Sequence, residues 1–219
     1  EKFQNLVLKE RAVVKATQSV IVKLNIDDSV NEIQRPISVN DESASVPDGY
    51  ARWEKTNVEK QSQSGFNSVF IGLEAGDITA NQLRSVAEII RDYSAEGFAR
   101  NGFSQNIVIR YVHDDDLKSM YSRLIENGLA KTGSLTMASA VGCSGTTSCN
   151  LALTNSHRLA KEVQRKFLEL NYDDDDDLKD STIKISGCPN SCGQHQIATI
   201  GFYGGGGRHG TDMFPNYTM

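Results

Sequence analysis

Residues 66–93 read FNSVFIGLEAGDITANQLRSVAEIIRDY, and residues 106–128 read NIVIRYVHDDDLKSMYSRLIENG. Each passage opens on β-branched and aromatic residues, Phe66 to Leu73 and Asn106 to Val112, and so predicts a strand. Each then changes period. Gly76-Asp77-Ile78-Thr79 supplies a turn and a cap, Asp77 or Thr79, for a helix whose Leu83, Val86, Ala87 and Ile90 recur at helical spacing. In the second passage Asp114–Asp116 puts negative charge in a first turn, where the helix dipole favours it. Leu117, Met120, Tyr121 and Leu124 form that helix's buried stripe, and Gly128 ends it. Strand, helix, strand, helix is half of a ferredoxin-like αβ sandwich, so the expected class is α+β.

Upstream the pattern fades. The opening to about Asn25 mixes helix formers with a β-branched run, and Asp27 to Ser64 is polar, carries Pro36 and Pro47, and reads as an extended connector. Downstream, a strand is expected near Leu135–Val141, then a long helix with Ala152, Leu159, Val163 and Phe167 on its buried side. The acidic run Asp173–Asp177 reads as a solvated connecting loop. Ile183 and Ile185 alternate with polar residues in a strand, Gln196 to Tyr203 forms another, and a glycine-rich tail begins at Gly204 without a closing element. Three segments result: 1–60 as N-terminal segment and connector, 61–132 as the half ferredoxin-like lobe, and 133–219 as a second αβ lobe, truncated at its end.

The composition bounds the function. With 219 residues, 38% hydrophobic and 23% charged, the chain can bury a real core. No apolar run approaches the roughly 18 residues of a membrane helix, and no signal peptide is visible, so a cytoplasmic protein is expected. The opening Glu1-Lys2-Phe3 suggests a piece of something longer. A net charge of −5 argues against a nucleic-acid partner.

All 4 cysteines fall late, as two close pairs. The first is Gly142-Cys143-Ser144-Gly145-Thr146-Thr147-Ser148-Cys149 and the second Gly187-Cys188-Pro189-Asn190-Ser191-Cys192. Disulfides fit poorly in a chain with no sign of export. Four thiolates meeting at one site hold a zinc ion or an iron–sulfur cluster. Zinc favours short knuckles, whereas a cluster needs each sulfur at a different iron, and the longer first loop suits the latter. Small neighbours let backbone amides approach sulfur, and Cys149 is expected at the start of the long helix, with the positive dipole end toward the site. Pro189 removes one amide and fixes the backbone between the last two cysteines.

These two motifs, with Asn150-Leu151-Ala152 after the first and Gly193-Gln194 after the second, resemble the signature of siroheme-dependent nitrite and sulfite reductases. Arg100-Asn101-Gly102-Phe103-Ser104-Gln105-Asn106 resembles that family's ferredoxin-like half-domain, except that Gly102 stands where the motif commonly has Thr. The resemblance runs from about Gln61 to Tyr203. It implies that Cys143, Cys149, Cys188 and Cys192 hold a 4Fe-4S cluster, that Cys192 is also the axial ligand of the siroheme iron, and that Asn190 lies beside it. Gly187, Ser191 and Gly193 would let backbone approach the macrocycle. It also sets Arg100 and Gln105 within reach of the siroheme, against the plainer reading of Arg100 as a surface residue in a turn. The histidines, His113, His157, His195 and His209, are expected at neutral surface or helix positions.

The resemblance further implies reduction of nitrite to ammonia or of sulfite to sulfide, with electrons from ferredoxin or a flavoprotein. The run from Cys192 to Phe202 is closer to ferredoxin-dependent nitrite reductases. The family's substrate-gripping basic residues come chiefly from its other half, and no such cluster is present here. The expected partner is therefore the N-terminal half of the same enzyme, without which these residues are expected to be inactive. A dissimilatory sulfite reductase subunit and a cobalamin-pathway relative share the cysteine pattern. A non-catalytic four-cysteine metal module is the reading from another class.

Overall fold

The computed structural model describes residues 47–219. The expectations for the opening segment and most of the connector fall outside the described residues.

The last part of the expected connector is ordered. Helix α1 (Tyr50–Asn57) and strand β1 (Val58–Lys60) occupy it. The reason is burial: Trp53 is fully buried, and its ring lies 4.9 Å from that of Tyr121. Asn57, also fully buried, has its Nδ2 2.8 Å from each of the Phe70 carbonyl, the Lys131 carbonyl and Ser134 Oγ. A polar composition concealed a helix anchored by one indole and one amide.

The predicted strands and helices of the first lobe follow: β2 (Phe66–Ile71), α2 (Ala80–Tyr93), β4 (Ile107–His113) and α3 (Leu117–Glu126). A short strand the sequence did not betray, β3 (Ala99–Asn101), pairs with β4. The four strands form an antiparallel sheet in the order β1-β2-β4-β3. Thr79 caps α2 in a reciprocal box with Gln82, its Oγ1 accepting from Gln82 N at 3.2 Å while Gln82 Oε1 accepts from Thr79 N at 3.1 Å. The buried face of α2 is Val86, Ile89, Ile90 and Tyr93, whereas Leu83 is 53% exposed and Ala87 faces solvent. The period was right and the phase was off, because Tyr93 belongs to the stripe and Leu83 does not. On α3 all four expected residues are buried.

The second lobe is built on β5 (Val141–Gly142), β6 (Ile183–Ser186), β7 (Ile200–His209) and β8 (Asp212–Thr218), ordered β5-β6-β7-β8. The first three run parallel and β8 returns antiparallel. Helix α4 (Ser156–Glu169) joins β5 to the acidic segment before β6. Three expectations change here. Residues 135–140 are turns, with only Val141 and Gly142 extended. The helix starts at Ser156, so Ala152 lies outside it. The glycine-rich tail is a hairpin: β7 runs through Gly204–Gly207 and pairs with β8 as far as Thr218. Gly204 is required by close approach, since a Cβ there would lie 2.4 Å from the Gly187 carbonyl oxygen.

The acidic run also departs from a freely solvated loop. Asp173 is buried, accepting from Arg52 Nε at 2.9 Å and from Thr132 Oγ1 at 2.7 Å. Lys55 pairs with Asp174 at 2.8 Å and Asp176 at 3.1 Å. The run is a strap onto α1. Other ties join the lobes, among them Gln164, whose Oε1 accepts from Ala75 N at 3.2 Å and whose Nε2 donates to the Ala140 carbonyl at 2.9 Å.

Candidate cofactor site

The parallel pair β5 and β6 sets the geometry. Gly142 stands opposite Ile185, and Cys143 N donates to the Ile185 carbonyl at 3.1 Å. Cys143 therefore emerges beside Ser186, just ahead of Cys188. Both cysteine loops thus leave the carboxyl ends of adjacent parallel strands, where open α/β sheets form their ligand crevices. The loops touch: Gly187 N donates to Cys143 Sγ at 3.1 Å. Leu153 N and Thr154 N both reach the Gly187 carbonyl, at 2.8 and 3.0 Å.

Helix α4 begins against the same sulfur. Asn155 caps it, accepting from Arg158 N at 3.0 Å, and Ser156 Oγ lies 3.1 Å from Cys143 Sγ and donates to the Cys143 carbonyl at 2.8 Å. The positive end of the helix dipole thus bears on Cys143, not on Cys149 as the sequence suggested. A hydroxyl has one proton to give. With that proton on the carbonyl, the Cys143 thiol is the donor to Ser156. Once the sulfur is a thiolate, Gly187 N–H and the helix end are the groups that stabilise it. Gly142 allows this packing, because a Cβ there would lie 2.8 Å from both Ala160 Cβ and the Ser156 carbonyl oxygen.

Cys149 is held in a turn, its N–H donating to the Gly145 carbonyl at 3.0 Å, with Gly145 at φ +53°. Cys188 is buried, Cys143 half-buried, and Cys149 and Cys192 face solvent; none is in a disulfide. The turn around Cys192 uses two left-handed residues, Ser191 at φ +63° and Gln194 at φ +58°. Ser186 Oγ anchors it from inside, accepting from Gly193 N at 3.1 Å and meeting His195 Nδ1 at 2.9 Å. His195 also stacks on Tyr203 with centroids 5.0 Å apart, so it is a structural member of this loop. His113 and His157 are half-buried, His157 beside Asp77 at 3.2 Å, and His209 is exposed.

The other expected residues are placed differently from one another. Asn190 is exposed in the turn between Cys188 and Cys192. Gln105 closes on the backbone just before Cys143: its Nε2 donates to the Gly142 carbonyl at 2.9 Å and its Oε1 accepts from Gly142 N at 3.1 Å. Arg100 is committed to Glu96, with its two terminal nitrogens 2.5 and 2.6 Å from the carboxylate oxygens. Its guanidinium also lies 4.6 Å over the Phe98 ring. It borders a groove of about 410 Å³ shared with Asn106, Ser139, Val141 and Lys184, and none of the four cysteines lines that groove.

Ser156 and Ser186 were missed by the sequence reading. Ser156 was legible from the Asn155 cap, but the reading that put Ala152 in the helix passed over it. Among the described residues, no three His, Cys, Asp or Glu side chains converge closely enough to hold a single metal ion. The donor set is nonetheless all thiol, with the Gly187 amide on Cys143 Sγ, and thiolates favour soft metals and iron–sulfur clusters. No helix among the described residues is long and apolar enough to cross a membrane.

Comparison with known proteins meets this geometry. Residues 59–127 match the family model described as the nitrite/sulfite reductase ferredoxin-like half domain. The chain is 29% identical to a ferredoxin–nitrite reductase of Synechococcus elongatus, over 69% of this chain and 29% of that protein. It is 27% identical to a ferredoxin sulfite reductase of Mycolicibacterium paratuberculosis, over 65% of this chain and 26% of that one. The solved structure of the Mycobacterium tuberculosis NirA protein superposes with a TM-score of 0.58 at 26% identity, covering 74% of this chain and 30% of that one. The chain therefore spans less than a third of the length of these relatives. Residues 59–127 thus carry the ferredoxin-like half domain of nitrite and sulfite reductases, and the similarity to both kinds of reductase extends over about two thirds of the chain.

Proposed function

We propose that this chain is the cluster- and siroheme-binding part of an assimilatory nitrite or sulfite reductase. Cys143, Cys149, Cys188 and Cys192 would hold a 4Fe-4S cluster, and Cys192 would also hold the siroheme iron. One observation carries the reading: two loops distant in sequence meet at the ends of β5 and β6, with Gly187 N–H on Cys143 Sγ. When bound, the two groups supply single electrons to an anion at the haem iron. This chain's residues hold and orient. Gln105 pins Gly142, Ser186 pins Gly193, and the start of α4 bears on Cys143. Leu151, Leu153 and Ile197, in the two cysteine-bearing loops, are 71%, 49% and 74% exposed, an apolar character suited to a macrocycle resting against them.

Nitrite is the favoured substrate, on the run from Cys192 to Phe202. Ferredoxin is the favoured donor, because the relatives are named for it. The two lobes meet at 132/133, Asn190 lies beside the haem ligand, and the N-terminal half of the enzyme completes the site. Anaerobic reconstitution with iron and sulfide tests the reading. Four irons with acid-labile sulfide, lost in Cys188→Ser, is the expected result. Stoichiometric zinc without sulfide would replace it with a structural metal module.

A further inference from the structure

The groove of about 410 Å³ that Arg100 borders is lined chiefly from three stretches of chain: the turn between β3 and β4, the turns before β5, and the approach to β6. Phe70, Val108, Val141 and Ile183 give it an apolar wall. Its charge is positive. Arg100, Lys179 and Lys184 stand against one carboxylate, Asp180. Arg100 shares Glu96 with Arg110, so two guanidiniums meet a single negative charge there. Lys184 Nζ donates to the neutral Gln194 Oε1 at 2.8 Å, which leaves two of its three N–H groups for another acceptor. In a chain of net charge −5 this is a local reversal of sign.

Asn106 belongs to the same lining and is 5% exposed, yet its Oδ1 has no hydrogen-bond partner. Gly102 makes room for it, since a Cβ there would lie 1.9 Å from that oxygen. Among the described residues no other hydrogen bond of this side chain is formed. A buried amide left unpaired is costly to the fold, and its place in the wall of a groove offers it a partner from outside.

We propose that this groove binds a small organic acid, its carboxylate taken by Lys184 and the Asn106 amide N–H, its apolar body by Val108, Val141 and Ile183. A bare inorganic anion leaves the apolar wall unused, and a neutral apolar molecule leaves the cations and the amide unpaired. None of the four cysteines lines the groove, so the site stands whatever they hold.

The test is amide NMR of the isotope-labelled full chain in its metal-free form, titrated with benzoate. Benzylamine, benzyl alcohol and inorganic phosphate are the matched controls. For benzoate alone, saturable shifts of the Gly102, Asn106 and Ser139 signals are expected, with a Kd on the order of 1 mM. Lys184→Gln is expected to weaken benzoate binding at least about threefold. Asn106→Leu is expected to weaken it too, with a urea midpoint level with the parent's or higher, since the amide serves no partner in the fold. Absence of saturable shifts, equal binding of any control, or benzoate binding unaltered in Lys184→Gln overturns the proposal. A lowered urea midpoint in Asn106→Leu would give the amide to the fold and overturns the site as drawn.

Discussion

Gln105 holds φ +55° and commits both ends of its amide to the backbone of Gly142. A residue read from sequence as a cofactor contact is, in the fold, the clamp on the strand that delivers Cys143. Gln105→Leu is expected to leave both Gly142 groups without these partners and to cost about 1–3 kcal/mol. Urea unfolding measures the cost, and weaker iron and sulfide uptake than in the parent would follow from a loosened Cys143. Glu96 is a second such case, nearly inaccessible and gripped by both Arg100 and Arg110. Burial pushes its carboxyl pKa up, but the two guanidiniums outweigh that and hold it below the usual carboxylate range. A lowered folded-state pKa contributes stability above the unfolded value of about 4.3, lost as pH falls through the folded one. Acidification below about pH 4 is therefore expected to loosen the first lobe, followed by fluorescence of the single tryptophan, Trp53. Glu96→Gln should lack that component; an acid transition identical to the parent's would count against it.

The elements read well wherever periodicity was long, and badly wherever backbone contacts decided. Helix α3 and strand β6 came out with their buried residues as expected, because four apolar residues or a clean alternation leave little choice of face. Strand β5 did not, since two residues carry no period. The start of α4 was set too early by Ala152, seven residues before Leu159 and so in phase with it, yet outside the helix. The hairpin of β7 and β8 was hidden by its glycines, whose composition says tail while the packing of Gly204 against Gly187 says strand. Of the candidate site, the two cysteine pairs stand out in the sequence and the supports of their loops do not, because Ser156 and Ser186 act through tertiary hydrogen bonds. The acidic run teaches the same lesson and gives a sharp contrast. Asp173→Ala removes a buried acceptor from Arg52 and Thr132 and should cost about 2 kcal/mol. Asp177→Ser, at an exposed position, should stay within about 0.5 kcal/mol. Equal effects from the two substitutions would mean that the strap onto α1 contributes nothing in solution.

For the molecule as a whole, charge decides what these residues can do alone. A siroheme carries many carboxylates, and each needs a cation or a hydrogen-bond donor if the ring is buried. An anionic substrate needs further positive charge beside the iron. The chain carries 23 basic residues against 28 acidic ones. The groups bonded around Cys143 and Cys188 are Gly142, Thr154, Ser156, Ser186 and Gly187, all uncharged, while Lys184 Nζ donates to Gln194 Oε1 of the Cys192 turn at 2.8 Å. Arg100, the basic residue in the half-domain motif, is committed to Glu96, which it shares with Arg110. On the proposed reading, further cations would come from the N-terminal half; the chain spans less than a third of the length of its relatives. The reconstituted chain, given siroheme and reduced methyl viologen, is expected to turn over neither nitrite nor sulfite. Adding the N-terminal half should restore turnover, and the better substrate of the two then identifies the reaction. Comparable turnover by the chain alone would show that the few cations near the cysteine loops suffice, and would send the search for the anion's partners back to Arg100 and Lys184 in the neighbouring groove.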